Sequence, residues 1–333
     1  MSHDHLLVTG GAGFIGSHLV DALLERGDRV TVLDRLSAGG SLTNLRRHHG
    51  DPLLTFVEGD VKDVDLVRGL VADADAVVHA AAETHVDRSI DAPGEFLDTN
   101  VLGTRSVLDA CRFEGARLLM LSTDEVYGAG DPVGGSFDEG APLRPRSPYA
   151  ASKAAGDLLC TAYASTYATP VVVVRGTNAF GPRQIERVVP TYVVNALRGL
   201  PVPVYGRGEQ RREFLYVEDW VRGALTAFDR GGSGTVYNIG NGHELPNLEL
   251  ATRICELADA PTELITFVAD RPGHDFRYGV RSERLATLGW SPEWSFGEAL
   301  AHTVSWYRGH LDGLEAAHVV PVVTAPRAAG VDA

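Results

Sequence analysis

The 333-residue chain predicts an α/β fold, a doubly wound parallel sheet with a smaller C-terminal lobe. Three observations predict it. Short β-rich runs alternate with helical patterns through the first half, a glycine-rich turn joins the first run to the first helix, and after about Gly181 the alternation loosens into Pro-containing segments such as Pro201-Val202-Pro203 and Asp270-Arg271-Pro272-Gly273. Strands separated by helices require right-handed crossovers and therefore a parallel sheet. At this length, one large core with an appended lobe is expected rather than two large domains.

Leu6-Leu7-Val8 is the first strand. Gly10-Gly11-Ala12-Gly13-Phe14-Ile15-Gly16 follows it, and Phe14, Ile15, Leu19, Ala22 and Leu23 recur on a helical period, so a helix runs from about Phe14 to Glu25. Glycines at this spacing let backbone amides approach a pyrophosphate while the helix N-terminus supplies partial positive charge, which makes Gly10, Gly13, Phe14, Ile15 and Gly16 candidate cofactor contacts. Alone, the pattern also fits a tight turn with no ligand. Asp34 strengthens it, ending the second strand (Val30-Thr31-Val32-Leu33) 18 residues after Gly16. A carboxylate there accepts hydrogen bonds from ribose hydroxyls and repels a 2′-phosphate, which favours NAD over NADP, a preference that the adjacent Arg35 tempers. Leu54-Thr55-Phe56-Val57 is the third strand, and Asp60 and Val61 after it are placed to meet the adenine. Ala76-Val77-Val78 is the fourth, and Ala80 and Ala82 beyond it are small residues where the cofactor must pass.

Leu118-Leu119-Met120-Leu121 reads as a buried parallel strand leading into Ser122-Thr123-Asp124-Glu125-Val126-Tyr127-Gly128. A hydroxyl and two adjacent carboxyls thus stand at the carboxyl end of a strand, where open α/β sheets bind ligands. An isolated Asp-Glu pair is more often an Asx-type turn followed by a solvated Glu. With pKa values pushed apart by environment, however, one carboxyl donates a proton while the other removes one, as elimination of water from an unactivated alcohol requires. Tyr149 and Lys153 come next, at i and i+4 on a helix opened by Pro148. The shared face predicts the Lys153 ammonium near the Tyr149 hydroxyl, lowering a pKa ordinarily about 10 and yielding a base for a sugar hydroxyl. Val171-Val172-Val173-Val174 is a further strand, and Thr235-Val236-Tyr237-Asn238-Ile239 is a candidate to return to the main sheet.

Composition narrows the partners. Net charge is −14, with both signs mixed and no basic run, which argues against nucleic acid but not against an anionic small molecule captured locally. Cys111, Cys160 and Cys255 lack metal-ligand spacing and read as small core residues in a reducing compartment. His3, His5, His48 and His49 lie in polar stretches expected to be exposed, and no metal site is expected. No apolar stretch reaches membrane-spanning length, and the start runs into a strand without a signal sequence, so a cytoplasmic protein is expected. The expected division is a cofactor domain over 1–180 with return segments near 213–248, a substrate-binding lobe mainly over 181–312, and a loose tail over 313–333.

Joined, these motifs over about residues 5 to 310 resemble the extended short-chain dehydrogenase/reductase family, and within it the nucleotide-sugar 4,6-dehydratases. Thr123-Asp124-Glu125 is similar to the dTDP-glucose 4,6-dehydratases, whereas epimerases and GDP-mannose dehydratases lack the Asp-Glu pair at this place. Residues 82–89, 205–206, 212–219 and 270–275 match the family as well. The resemblance implies a Rossmann-type sheet, NAD as cofactor with Asn100 added to its contacts, a nucleotide-diphosphate hexose as substrate, and a homodimer formed through two helices of each subunit, one of them carrying Tyr149 and Lys153. It implies oxidation at C4 with Tyr149 as base, helped by Lys153 and Thr123, then removal of the C5 proton by Glu125 and protonation of the departing C6 hydroxyl by Asp124. It places His85, Thr123, Asn178, Arg187, Tyr205, Arg212 and Arg271 against the substrate. Ala179 and Phe180 depart from the family's usual Asn-Asn-Tyr-Gly-Pro run, and Arg187 replaces its customary Lys; these departures bear on the nucleotide and the hexose. A 4-epimerase or decarboxylase of the same family is the alternative, against which Asp124 argues, as is a 4,6-dehydratase of another sugar nucleotide. An NAD-sensing protein without activity would have no need of Thr123, Tyr149 and Lys153 together.

Overall fold

A computed structural model describes residues 4–37, 39–130, 134–270 and 275–313. Its strands in chain order are β1 (His5–Thr9), β2 (Arg29–Asp34), β3 (Leu54–Glu58), β4 (Ala76–His79), β5 (Arg117–Thr123), β6 (Val171–Gly176), β7 (Asn178–Phe180), β8 (Val202–Tyr205), β9 (Arg211–Tyr216), β10 (Thr235–Ile239), β11 (Glu244–Pro246) and β12 (Ile265–Val268). The α-helices are α1 (Phe14–Glu25), α2 (Val64–Ala72), α3 (Val86–Asp91), α4 (Pro93–Leu97), α5 (Thr104–Glu114), α6 (Pro148–Tyr167), α7 (Val188–Leu197), α8 (Val217–Arg230), α9 (Asn247–Leu257), α10 (Glu283–Ala286) and α11 (Phe296–His310).

Seven strands form one sheet in the order β10-β6-β5-β4-β1-β2-β3, every neighbouring pair parallel. The two-residue period of a strand explains the layering. Leu6, Val8, Val30, Val32, Val78, Leu119, Leu121, Val172 and Val174 join one core with Leu19 and Leu23 of α1 and Trp220 and Phe228 of α8. Leu7, Leu33, Val77, Leu118, Met120, Val171 and Val173 join the other, with Val67 and Val71 of α2 and Val107 and Leu108 of α5. Burial on both faces makes these runs nearly continuously apolar, and each such side chain contributes roughly 1.5–3 kcal/mol. From β1 the chain winds outward through β2 and β3, then returns to β4 and winds the other way. Strand order therefore reverses between β1 and β4, which opens a crevice at the carboxyl ends of the strands.

Later segments build two small sheets, β11-β9-β7 and the parallel pair β12-β8. β10 does return to the main sheet, beside β6. β9 and β11, expected among the returning segments, instead belong to the three-stranded sheet, because their partners are each other and β7. β5 runs past the apolar stretch through Ser122 and Thr123, which stay in register with Arg175 and Gly176 of β6.

Two histidine expectations are corrected. His5 is buried on β1, with Nε2 2.8 Å from the Thr31 hydroxyl, and His48 is hydrogen-bonded to Asp21 of α1 at 2.7 Å. Both partners are distant in sequence, beyond the reach of a spacing argument. The three cysteines are buried. Arg271, His274 and residues 314–333 of the expected tail lie outside the described residues.

A 3-10 turn, Asp124–Tyr127, leaves the end of β5 and is closed by Gly128 at φ 80°. A Cβ on Gly128 would stand 2.1 Å from the Arg144 carbonyl oxygen. Only glycine tolerates both constraints. Gly128→Ala is expected to destabilise the fold by about 1–3 kcal/mol, measured as a shift in the denaturant midpoint at unchanged slope.

Candidate active site

The crevice holds a cavity of about 480 Å³, a size suited to a small-molecule site. Gly10, Gly13, Phe14, Ile15 and Gly16 border it after β1, Asp34 at the end of β2, Asp60 and Val61 after β3, and Ala80 and Ala82 after β4. The glycine turn is obligatory: a Cβ on Gly16 would sit 2.0 Å from the Gly10 carbonyl oxygen. Asp34 accepts from the Ala12 and Leu36 amides at 3.0 and 2.9 Å, which fixes its carboxylate at the cavity wall with lone pairs remaining for hydroxyl donors. Arg35 is not poised for a 2′-phosphate. Its guanidinium is tied to Asp60 at 3.1 Å and to Glu83. A cradle closed by glycines, a fixed carboxylate at the end of β2 and a committed neighbouring arginine fit NAD.

Asn100 stands apart from the other candidate cofactor residues. It does not border the cavity, because its side chain is saturated elsewhere: Oδ1 accepts from the Glu83 amide at 2.8 Å, while Nδ2 donates to the Glu83 carbonyl and the Ser152 hydroxyl, each at 2.9 Å. It clamps the loop after β4 to the helix that carries Tyr149.

That helix is α6. The Ser147 hydroxyl caps it by accepting from the Ala150 amide, and Pro148 occupies its first turn. Tyr149 and Lys153 are both buried and both border the cavity. The expected contact between them takes a different form, since Lys153 Nζ donates to the Leu121 carbonyl of β5 at 2.6 Å. Burial pulls the Lys153 pKa down to about 8, opposed by the charge of Asp157. Burial likewise pushes the Tyr149 phenol above its usual range and the charge of Glu125 adds to this, while Arg187 and a hydrogen bond with Thr123 oppose it. Arg187 thus eases the phenol toward ionisation, while the Lys153 ammonium is hydrogen-bonded to the strand end.

Thr123 accepts from the Glu125 amide at 3.3 Å and donates to Asp124 Oδ1 at 3.2 Å, so the turn itself holds the two carboxyls in different surroundings. Thr123 and Glu125 border the cavity; Asp124 lies behind them, 3% exposed, with Oδ2 buried and lacking a hydrogen-bond partner among the described residues. Burial raises the Asp124 pKa well above the usual carboxylate value, and the charges of Glu125 and Glu213 raise it further, against Thr123 and Arg212. Burial and the neighbouring carboxyls thus favour the neutral form of Asp124, which is held out of water beside a carboxyl that borders the cavity.

His85, Asn178, Arg187, Tyr205 and Arg212 all border the same cavity from its other side. Arg187 donates to the Thr84 carbonyl, and Arg212 is anchored by the Asp275 and Phe276 carbonyls with its guanidinium 4.4 Å from the Tyr278 ring centroid. Glu83, Gln184, Tyr192, Asn247 and Tyr278 complete the wall without having been anticipated. Glu83 falls in a stretch that matched the family; the others come from segments with no motif, and only the fold brings them in.

A sequence profile of the NAD dependent epimerase/dehydratase family matches residues 6–240. The chain belongs to that family. It is 49% identical over 316 residues to a dTDP-glucose 4,6-dehydratase of an Actinoplanes species, covering 92% of this chain and 98% of the relative. Among solved structures, the dTDP-glucose 4,6-dehydratase DesIV of Streptomyces venezuelae, determined with NAD bound, is 43% identical with a TM-score of 0.91 over 94% of this chain and 99% of the other. A UDP-glucose 4-epimerase of Thermus thermophilus, also in complex with NAD, is 34% identical with a TM-score of 0.85 over 92% and 99%. The shared fold therefore accommodates both chemistries, and side chains must separate them.

The raised Asp124 pKa has a thermodynamic sign. Between the unfolded value near 3.8 and its higher folded value, the unfolded chain gives up a proton that the folded chain keeps, so stability is full at low pH and falls as pH rises. Asp124→Asn does not titrate. Thermal unfolding should find the variant more stable than the parent at pH 7, with the gap closing as pH falls toward 4.

Proposed function

We propose that this chain dehydrates dTDP-glucose to dTDP-4-keto-6-deoxyglucose with NAD as a resident cofactor. The observation that carries the proposal is Asp124, buried with Oδ2 lacking a hydrogen-bond partner among the described residues, beside cavity-lining Glu125, on a fold otherwise equipped for oxidation at a sugar hydroxyl. Bound NAD supplies a hydride acceptor and donor; the remaining chemistry is proton handling by the protein.

Tyr149 takes the proton of the C4 hydroxyl. Its phenol is held by burial, so the phenolate depends on Arg187 and Thr123 for stabilisation, with Lys153 holding the strand end beside it. Once C4 is a ketone, the C5 proton is acidic and Glu125 removes it. Asp124 protonates the C6 hydroxyl, which departs as water and leaves a C5–C6 double bond; Glu125 then returns its proton to C5 while the hydride taken from C4, which bound NAD would hold meanwhile, would be delivered to C6. On this reading the Asp124 carboxyl, which lies behind Thr123 and Glu125, has to turn toward the cavity to deliver its proton. Over one turnover Tyr149 gains a proton and Asp124 loses one. Thr123, whose hydroxyl acts on both, connects them. An epimerase would need only the redox half of this apparatus.

On this reading residues 1–180, with β10 (Thr235–Ile239) returning to their sheet, serve the cofactor, and 181–312 serve mainly the substrate. The diphosphate lies toward Arg187 and Arg212, with Asn178 at the sugar-diphosphate and Tyr205 against the base. The chain acts as a homodimer in the cytoplasm. Leu97 and Leu102 before α5, and Leu158 on α6, are about half exposed (52%, 48% and 59%) and offer an apolar face for a second copy.

Incubated separately with dTDP-glucose, UDP-glucose and GDP-mannose in the presence of NAD, the protein should remove one water from the dTDP sugar alone, with no net reduction of cofactor, followed by product mass. Loss from another sugar would assign the pocket to that nucleotide, and a new epimer of unchanged mass would remove the role given to Asp124. Asp124→Asn should lower kcat about 10²–10⁴-fold, the usual contribution of a positioned acid.

A further inference from the structure

Behind the cavity wall runs a chain of four buried polar side chains that the mechanism above does not use. Asp157 lies one turn after Lys153 on α6, and its Oδ2 is paired with Arg175 Nε of β6 at 2.6 Å. Arg175 Nη1 donates to the Tyr127 hydroxyl at 2.9 Å, with the guanidinium 5.0 Å from the Tyr127 ring centroid. The Tyr127 hydroxyl in turn donates to Asn238 Oδ1 of β10 at 2.7 Å. Asn238 Nδ2 donates to the Phe137 and Arg281 carbonyls at 3.1 and 3.2 Å. All four residues are at most 5% exposed, and none borders the cavity.

The two ends of this chain matter. Asp157 shares a helix face with Lys153, four residues earlier, and so reaches the helix that carries the redox pair. Tyr127 is the last residue of the 3-10 turn that begins at Asp124, and so reaches the turn that carries the acid–base pair. Arg175 stands between them. A buried Arg–Asp pair gives little stability beyond apolar residues of the same volume, but its hydrogen bonds fix direction, and Arg presents a rigid fork that binds two partners at set angles. Asp157 Oδ1 has no hydrogen-bond partner among the described residues, which leaves its charge acting within the helix on Lys153.

We infer that Asp157, Arg175 and Tyr127 are positioning residues, a buried strut that sets the Asp124–Glu125 turn against the Tyr149–Lys153 helix so that oxidation and elimination occur on one bound sugar. The inference rests on the dehydratase reading and adds to it that the two halves of the site are separately breakable from behind.

The test is single-turnover kinetics of the full-length, NAD-loaded protein with dTDP-glucose, following both reduced-cofactor absorbance and product mass, alongside thermal unfolding. Tyr127→Phe frees the turn. Elimination should slow about 10–100-fold, in keeping with the cost of a misplacement of about 1 Å, and reduced cofactor should accumulate transiently while KM stays within about twofold. Asp157→Asn frees the other end and removes the charge beside Lys153. Oxidation should slow by a similar factor with no accumulation, and, because the Asp157 charge raises the Lys153 pKa, the basic limb of the pH profile should move to lower pH. Opposite signatures support the strut. Equal loss of both steps in both variants, tracking their loss of thermal stability, overturns it, as does unchanged partition in Tyr127→Phe. A parent protein that forms no keto-deoxy sugar would overturn the dehydratase reading itself, and is recognised before either variant is compared.

Discussion

A carboxyl kept from water at the end of β5 is the constraint around which this site is arranged. Asp124 follows a strand buried on both faces, and the turn that begins with it is tight enough to send Glu125 to the cavity while Asp124 stays behind the wall. Two neighbouring residues of nearly identical chemistry are thereby held in different surroundings, as the opposite proton roles proposed for them require. The surrounding groups deepen the division: Glu213, itself buried and pushed up to about 7 by burial, adds negative charge to the same region. What makes the site a device for elimination is this difference in hydration, and the fold supplies it through strand register and one glycine.

The redox side is built on the same economy of position. Lys153 is buried, anchored to the Leu121 carbonyl, and held against the loss of its proton by Asp157. Tyr149 is dry and depends on neighbours for any phenolate character. Such groups are poorly solvated in the folded state, and the sheet and helix packing around them carries that burden. The catalytic apparatus is therefore spread over the ends of β1, β2, β4, β5 and β6 and over one face of α6, each rigid and each anchored in one of the two apolar layers.

Much of this was legible in the sequence, for reasons that can be named. Periodicity revealed strands buried on both faces, and glycine spacing revealed the cradle, because both are local signals. Thr123, Glu125, Tyr149, Lys153 and the candidate cofactor residues apart from Asn100 all line one cavity. What local signals could not carry was orientation. Asn100 turned to Glu83 and Ser152, Lys153 turned to Leu121 rather than to Tyr149, and His5 and His48 found partners across the sheet and on α1. Tyr192, Asn247 and Tyr278 reach the wall from segments whose pairing is set by long-range contacts, and the Asp157–Arg175–Tyr127 chain joins residues up to 48 positions apart. Spacing identifies which side chains share an element, whereas the partner each one chooses is decided by packing.

The account turns on Asp124 being a neutral acid at the pH where the enzyme works. Infrared difference spectroscopy between the parent protein and Asp124→Asn at neutral pH reports this directly, since a protonated carboxyl and a carboxylate absorb in separate regions. The prediction is a carboxylic acid carbonyl band that is present in the parent, absent in the variant, and that does not give way to a carboxylate until the pH is raised well above the ordinary carboxyl range. A carboxylate band from Asp124 at pH 7 would contradict the assignment of the proton donor and with it the separation of roles between Asp124 and Glu125.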